Sequence, residues 1–485
     1  MGTGHVMRCL ALAQAWQDTG GDVVFAMAET TPAIEQRLAR ERCEVVGWDA
    51  SPGGEEDSHR LTDLARARSA QWIVVDGYQF NSEFQYRVKK AGLKLVFVDD
   101  TGSCGPYLAD FVLNQNPHAE SMEYSKREAY TRLLPGSAFA LLRREFSPWR
   151  GWKREIPTVA RKVLVTLGGS DPKNLTSQVV RTLFEFAGEL EVTVVVGGSN
   201  PHLDSICSTV ARFQGSAKLV RDAASMPELL SWADLAIAGA GSVCTEICLL
   251  GLPAILIDTV ANQTPVAQAL DRLGAAVHVS CTPDLQDRLE PAVRQLQTSP
   301  EVRSRLSTKS QSLVDGYGAQ RVVAAMRGTE LKLRPVDSGD CSLLWQWTNE
   351  SKVRSASFSQ EPVPWERHVQ WFQSKLADRN AHLLVATDSA SAPVGIVRFQ
   401  VEGTRAIVSI SIDENSRGKG YGHAILTKAV REFFQSTAVA VVEAYVRPEN
   451  EASLRLFGSA GFERDRTSGA EKHSAVHFVL RRKAS

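Results

Sequence analysis

The stretch "ADLAIAGAGSVCTEICLLGLPAILIDTVANQ", residues 233–263, carries the pattern that decides the fold. The apolar run Leu235-Ala236-Ile237-Ala238 ends at Gly239. A small-residue loop, Gly239-Ala240-Gly241-Ser242, then opens a helical pattern, and a second apolar run, "AILIDT", follows Gly251-Leu252-Pro253. Short apolar runs without polar alternation read as strands buried on both faces, which belong to parallel sheets covered by helices. Cys244 and Cys248 fall one helical turn apart. With no CxxC in the chain, they read as packing residues and not as metal ligands.

The same alternation extends in both directions. Upstream, "DVVFAMAE", "CEVVGWD", "WIVVDGY" and "LVFVDD" read as strands, and "TPAIEQRLARER" as a helix with Thr31 as cap and Pro32 at its first position. Nearer the decisive stretch, "KVLVTLGGSD", "VTVVVGGS" and "AAVHVS" read as further strands. The alternation resets at residues 146–160, "FSPWRGWKREIPTVA", a Pro/Trp/Arg-rich stretch that reads as a linker. It resets again near 325–332, beyond which "HLLVATD", "PVGIVRFQVEG" and "RAIVSISID" read as antiparallel strands with "GTRA" as a hairpin turn. The fold class expected is α/β: two doubly wound Rossmann-like domains, 1–150 and 151–328, then an α+β domain, 329–485.

Composition excludes several classes. The 485 residues hold 55 basic and 55 acidic side chains, so no net charge draws in nucleic acid or an anionic membrane surface. The basic clusters in "LLRREF" and "LRRKAS" read as solvated surface. At 43% hydrophobic and 23% charged the chain is ordinary for a soluble globular protein, and no run approaches the 18 apolar residues of a membrane span. Eight cysteines without paired spacing suit a reducing, cytoplasmic setting.

Two facing doubly wound domains suit a nucleotide-sugar, bound outside the carboxyl ends of parallel strands. At the loop Gly239, Ala240, Gly241, Ser242 and Val243, small side chains let backbone amides approach a diphosphate. Glu246, one turn into the helix, is placed to accept ribose hydroxyls. Gly168 and Gly169 of "TLGGSDP", with Asn262 and Gln263, complete the nucleotide side. The competing reading is a strand–helix turn that uses glycine for geometry alone.

In order along the chain, "GTGHVMRCLALA", "VVDGY", "VFVDD", "FALLRREF", "TLGGSDP" and "AGAGSVCTEICLLGLPAILI…ANQ" resemble one family over residues 2–325. It is the UDP-2,4-diacetamido-2,4,6-trideoxy-β-L-altropyranose hydrolases of pseudaminic acid synthesis, relatives of the glycosyltransferase-B fold. The Gly-rich helix motif is shared with the muramyl-peptide N-acetylglucosaminyltransferases. The resemblance implies inverting C1–O cleavage with UDP as leaving group and no metal. It implies His5 as general base, with Tyr78 and Asn262 orienting water and sugar. The adjacent carboxylates of "VDD", 98–100, point to opposite faces if the segment is a strand. Members of the family carry a strand ahead of the GxGH loop, and the expectation is a true start about a dozen residues upstream, because a missing central strand strands backbone groups at about 1–3 kcal/mol each.

The third domain carries "SISIDENSRGKGYGHAILTKAVREFF", residues 409–434. The R-x-x-G-x-G of Arg417, Gly418, Lys419, Gly420, Tyr421 and Gly422, after a strand ending near Ile412, resembles the acetyl-CoA pyrophosphate loop of the GCN5-related N-acetyltransferases. "AYVRPENEASLRLFGSAGF" resembles that family's second half, which implies Asn450 on the cofactor. Phe457 takes the position at which many members place a tyrosine that reprotonates the CoA thiolate, so Tyr445 or water must substitute. "LLWQWTNESKVRSASFSQEPVPWERHVQWF" resembles the N-acetyltransferases acting on UDP-4-amino-4,6-dideoxy sugars. Trp345, Trp347, Trp365, Trp371 and His368 read as sugar contacts or as core, and Glu443 as a relay for the amine proton.

The reading drawn from these features is a bifunctional enzyme that acetylates a UDP-4-amino sugar and then removes UDP. The alternatives are a UDP-sugar glycosyltransferase with an attached acetyltransferase, and a nucleotide-sugar-binding module without catalysis.

Overall fold

The computed structural model describes residues 3–169, 171–198, 200–213, 215–223, 225–327, 331–388, 391–417, 421–465 and 475–482. The chain divides into two compact units, Met1–Val323 and Ala324–Ser485.

The first unit begins with a helix, Thr3–Gln17. Leu10, Ala11, Leu12, Ala13 and Ala15 are all buried, so this helix is apolar nearly all round and runs inside the unit. It packs on a two-stranded parallel pair, β1 (Val24–Met27) and β2 (Glu44–Gly47). The helix Pro32–Arg40 joins them, and Thr31 Oγ1 accepts from Ile34 N–H at 3.4 Å, as its Thr-Pro start predicts. A separate four-stranded parallel sheet follows in the order β3 (Trp72–Asp76), β4 (Lys94–Val98), β5 (Phe111–Asn114), β6 (Arg132–Pro135). Among the described residues β1 pairs only with β2 and β3 only with β4, so each keeps one open edge.

The six-stranded sheet holds the decisive stretch. Its strands are β7 (Lys162–Thr166), β8 (Glu191–Val196), β9 (Ser216–Arg221), β10 (Leu235–Gly239), β11 (Ala254–Ile257) and β12 (Val277–Val279), ordered β12-β11-β10-β7-β8-β9 and all parallel. Every residue of β10 and β11 is buried, with apolar clusters on both faces. Cys244 and Cys248 lie in one of these cores, as their spacing predicts. The 146–160 stretch is not a free linker. Phe146 is buried, Trp149 meets Trp152 edge-on at 5.2 Å, and Arg154 donates to the carbonyls of Leu230 and Leu250 at 2.7 and 3.1 Å. Aromatic area and a guanidinium satisfied by helix-end carbonyls strap the segment onto the second half.

The second unit is built on β13 (Lys332–Pro335), β14 (Ala381–Thr387), β15 (Pro393–Glu402), β16 (Arg405–Ile412), β17 (Val441–Val446), β18 (Glu463–Arg464) and β19 (Val476–Arg481). They run β13-β14-β15-β16-β17-β19-β18, antiparallel except at β16–β17. Gly403 at φ +63° and Thr404 form the two-residue turn expected at "GTRA". Beyond Ile407–Glu443 the parallel pair β16–β17 parts. Helices Tyr421–Ser436 and Glu451–Ser459 bury one face of the sheet, and Cys341–Asn349 and Trp365–Ala377 cover part of the other. No described helix is long and apolar enough to cross a membrane.

Candidate functional site

His5 lies in the first turn of helix Thr3–Gln17, where the dipole disfavours a cation. One turn on, Arg8 is buried and reaches the carboxyl ends of two strands. Its Nε and Nη2 both donate to the Asp76 carboxylate at 2.6 Å, a bidentate pair, and Nη1 donates to Asp100 Oδ2 at 2.7 Å. Burial opposes the charge, but the bonds to Asp76 and Asp100 outweigh it and hold the guanidinium pKa above its ordinary value. His5 Nδ1 sits 3.6 Å from Asp76 Oδ1, too long for a hydrogen bond. Burial lowers the imidazole pKa, while Asp76 pulls the other way. The ring meets Tyr78 edge-on at 5.4 Å.

Tyr78 is exposed and bridges the two halves of the unit. Its hydroxyl accepts from Asn262 Nδ2 at 2.7 Å and faces Asp100 Oδ2 at 3.4 Å. Asn116 Nδ2 donates to Asp100 Oδ1 at 3.1 Å. The two carboxylates of "VDD" do point apart: Asp99 accepts from the Tyr107 hydroxyl at 2.6 Å in the core, and Asp100 faces the site. The structure thus gathers the three residues expected from sequence, His5, Tyr78 and Asn262. It adds Arg8, Asp76 and Asn116, which sequence reasoning did not single out, and Asp100, which it read only as one of two adjacent carboxylates. The available signal was a lone arginine in the apolar helix "HVMRCLALA", three residues from His5 and therefore on its face.

The expected nucleotide side needs correction in detail. Gly168, at φ +94°, does require glycine. Gly169 packs so closely that a Cβ on Gly197 would lie 2.8 Å from its Cα. A Cβ on Gly239 would meet the Leu167 carbonyl oxygen at 3.2 Å. Not every amide of the loop faces outward: Ala240 N–H bonds the Ile257 carbonyl at 3.1 Å and Gly241 N–H the Gly239 carbonyl at 2.8 Å. The amides of Ser242 and Val243 remain at the helix start, where leading N–H groups have no intrahelical acceptor. Ser242 Oγ lies 2.9 Å from where a Cβ on Gly4 would stand, so the loop touches the His5 helix. Glu246 is not free, because Arg143 Nη2 donates to it at 2.9 Å. Burial raises its pKa and Arg143 opposes this. Gln263 accepts from the amide and hydroxyl of Thr259, both at 3.0 Å, so it buttresses the loop end.

In the second unit, Gly418, Lys419 and Gly420 lie outside the described residues. Arg417 is committed locally: Nε donates to the Ile412 carbonyl at 3.1 Å, and Nη2 pairs with Glu350. That hydrogen bond lowers the Glu350 pKa. Tyr421 and Gly422 begin helix Tyr421–Ser436, and Ile412 ends β16. Asn450 caps helix Glu451–Ser459 through a 3.1 Å bond from Ser453 N–H. Phe457 is a core residue, buried against Phe462 and Phe478. His368 is likewise buried, with Nε2 3.0 Å from the Cys341 carbonyl oxygen, which leaves it as core. Glu443 is buried and meets Arg405 Nη1 at 2.5 Å and the Tyr445 hydroxyl at 3.2 Å, with His477 Nε2 at 3.5 Å. Among the described residues no cluster of three or more His, Cys, Asp or Glu could hold a metal.

Comparison with known proteins matches residues 163–321 to the glycosyltransferase family 28 C-terminal domain and residues 330–463 to the acetyltransferase (GNAT) domain. The chain joins these two domains. It is 21% identical over 474 residues to the uncharacterized protein MJ1062 of Methanocaldococcus jannaschii, covering 96% of this chain and 94% of that one. It is 23% identical over 330 residues to the spore coat polysaccharide biosynthesis protein SpsG of Bacillus subtilis, covering 67% of this chain and 94% of the relative. An aminoglycoside N(6')-acetyltransferase type 1 of Klebsiella pneumoniae is 25% identical over 168 residues, 31% of this chain and 83% of the relative. The architecture is mixed α/β, with parallel Rossmann-like sheets followed by a GNAT-like sheet.

Proposed function

We propose that the first unit hydrolyses a UDP-linked 2,4-diacetamido-2,4,6-trideoxy hexose and that the second acetylates the 4-amino group of its UDP-linked precursor with acetyl-CoA. The observation that carries the first activity is the His5, Arg8, Asp76, Asp100 and Tyr78–Asn262 constellation at the carboxyl ends of β3 and β4. A proton on His5 Nδ1, facing Asp76, leaves Nε2 with the lone pair. Nε2 takes a proton from water as the water oxygen attacks C1, the C1–O bond breaks, and UDP leaves with the bonding electrons. Arg8 holds Asp76 in place beneath the ring. The Ser242 and Val243 amides face the leaving diphosphate. The second activity rests on the GNAT domain, whose members bind acetyl-CoA, and on Glu443 with Tyr445 beside the β16–β17 gap. Similarity to a spore coat polysaccharide biosynthesis protein fits a role in sugar assembly.

The family 28 match also favours a second reading, transfer of the sugar to an acceptor other than water. One experiment separates the two: incubate the protein with the UDP-diacetamido sugar in buffer alone and follow UDP. Release with free sugar supports hydrolysis and should fall in His5→Ala. Release that waits for an added glycan or lipid acceptor supports transfer, and binding without turnover leaves neither.

A further inference from the structure

Glu443 and Tyr445 stand on the face of the second unit's sheet turned away from helices Tyr421–Ser436 and Glu451–Ser459. Val442, Ala444 and Val446 of β17 and Phe478 of β19 join the core beneath those helices. Side chains alternate along a strand, so Glu443 and Tyr445, with His477 on β19, point the other way. Tyr445 and His477 are paired directly across the β17–β19 ladder. Their rings lie face to face, with 4.7 Å between centroids and 4° between planes. Just past β18, Asp465 donates its N–H to the His477 carbonyl at 3.0 Å.

This places the imidazole between two carboxylates. His477 Nε2 lies 3.5 Å from Glu443 Oε2, and Nδ1 lies 3.5 Å from Asp465 Oδ2. Glu443 Oε2 is also the oxygen that accepts from the Tyr445 hydroxyl at 3.2 Å, while Arg405 Nη1 holds Oε1 at 2.5 Å. Tyr445, Glu443, His477 and Asp465 therefore follow one another in contact order. Exposure rises toward the far end: the Glu443 side chain is 8% exposed, His477 10% and Asp465 24%. Both ring contacts exceed a hydrogen bond, and an in-plane shift of roughly half an ångström toward either acid brings that side into range. The parallel stack on Tyr445 permits such a shift and resists tilting.

Acetyl transfer to an amine needs a route of this kind. An ammonium acceptor loses two N–H protons as its nitrogen bonds the acetyl carbon and the C–S bond breaks, its electron pair going to sulfur. One proton ends on the CoA sulfur, supplied through Tyr445. The other must leave a site in which Glu443 is buried. Imidazole suits that step, because it accepts at one nitrogen while releasing from the other.

We infer that His477 relays the acceptor's second proton from Glu443 to Asp465 and so to the surface. Nε2 accepts it from Glu443 Oε2, Nδ1 gives up its own to Asp465 Oδ2, and Asp465 passes that proton to water. A half-turn of the ring, which keeps its plane, resets the tautomer. The inference deepens the proposed acetyl transfer and rests on it for the roles of Glu443 and Tyr445.

The test is steady-state acetyl transfer by the full chain, followed as release of the CoA thiol. The acceptors are a UDP-linked 4-amino-4,6-dideoxy sugar and, as a plain amine, glucosamine. His477→Phe keeps a ring against Tyr445 and removes the relay. Its kcat should fall about tenfold or more, with both KM values and the unfolding midpoint unchanged. Free imidazole in the buffer should restore it in proportion to concentration. Asp465→Asn, at the outer end, should lower kcat in the same direction. An unchanged kcat in His477→Phe overturns the inference. A fall that imidazole leaves in place also overturns it, since His477 would then serve only to pack Tyr445. If His477→Phe does not fold, an unchanged kcat in Asp465→Asn overturns it instead. Transfer to glucosamine but not to the UDP-linked sugar, with imidazole rescue, keeps the relay and removes the sugar reading. Transfer to neither acceptor removes both.

Discussion

Asn262, following β11 in the second half of the first unit, donates its side-chain amide to the hydroxyl of Tyr78, following β3 in the first half, at 2.7 Å. With the Gly4–Ser242 approach and the Arg143–Glu246 pair, it is one of the places where the two halves meet at the site. The bond is exposed, so it contributes little to stability and much to where the phenol points. Tyr78→Phe and Asn262→Ala should each lower kcat for UDP release by about tenfold, with unfolding midpoints unchanged. A double mutant no worse than either single one would show that the pair acts as a unit, read from kcat and KM together.

Arg8 is held between two carboxylates, and its removal leaves the Asp76 side chain buried and Asp100 half-buried without the guanidinium. Breaking such a pair from one side costs about 3–5 kcal/mol. Arg8→Met should therefore lower the urea midpoint of the first unit markedly. Arg8→Met combined with Asp76→Asn and Asp100→Asn should recover part of that loss, because the uncompensated charges are gone. Denaturation followed by tryptophan fluorescence and circular dichroism checks both.

The pH profile of UDP release follows from the His5 environment. On the proposed hydrolysis, the base form of the His5 imidazole is the active one, so activity should fall as pH drops through its pKa. Burial lowers that pKa from 6.5, which places the acid limb of kcat/KM below pH 6.5. Asp76, more than Asp100, pulls it upward, so Asp76→Asn should move the limb further to acid while reducing the maximum. A limb above pH 7 in the unaltered protein would remove His5 as the base.

Much of the architecture was legible because buried parallel strands announce themselves as unbroken apolar runs. β10 and β11 are buried at every position, and "LAIAG" and "AILI" show it. β9, "SAKLVR", escaped because an edge strand with alternating exposure and two cations looks like a loop. β5 and β6 are four residues each and lack flanking signals. At the site, His5, Tyr78 and Asn262 were visible through motif resemblance, whereas Arg8 was not. Its role depends on two carboxylates 68 and 92 residues away, a juxtaposition that only the sheet creates. The sequence also led to a free Glu246, since nothing local discloses that Arg143, 103 residues earlier, reaches it.

In the second unit the thiolate of CoA needs a proton once the acetyl group has left, and Phe457 has none to give. It is packed against Phe462 and Phe478, so Phe457→Ala should cost about 3–5 kcal/mol of stability, as a buried aromatic does. The proposed donor is Tyr445. Burial and the neighbouring Glu443 raise its pKa, which keeps the phenol protonated at neutral pH. Its ring stacks on His477 at 4.7 Å, fixing the hydroxyl toward Glu443 on the polar face. Tyr445→Phe should lower kcat for acetyl transfer by about a hundredfold, the usual share of a positioned acid, with the acetyl-CoA KM and the unfolding midpoint unchanged. Glu443→Gln should act on the amine instead, so that raising the pH, which deprotonates the acceptor in solution, restores its rate but not that of Tyr445→Phe. Equal recovery of both variants at high pH would assign the proton to water.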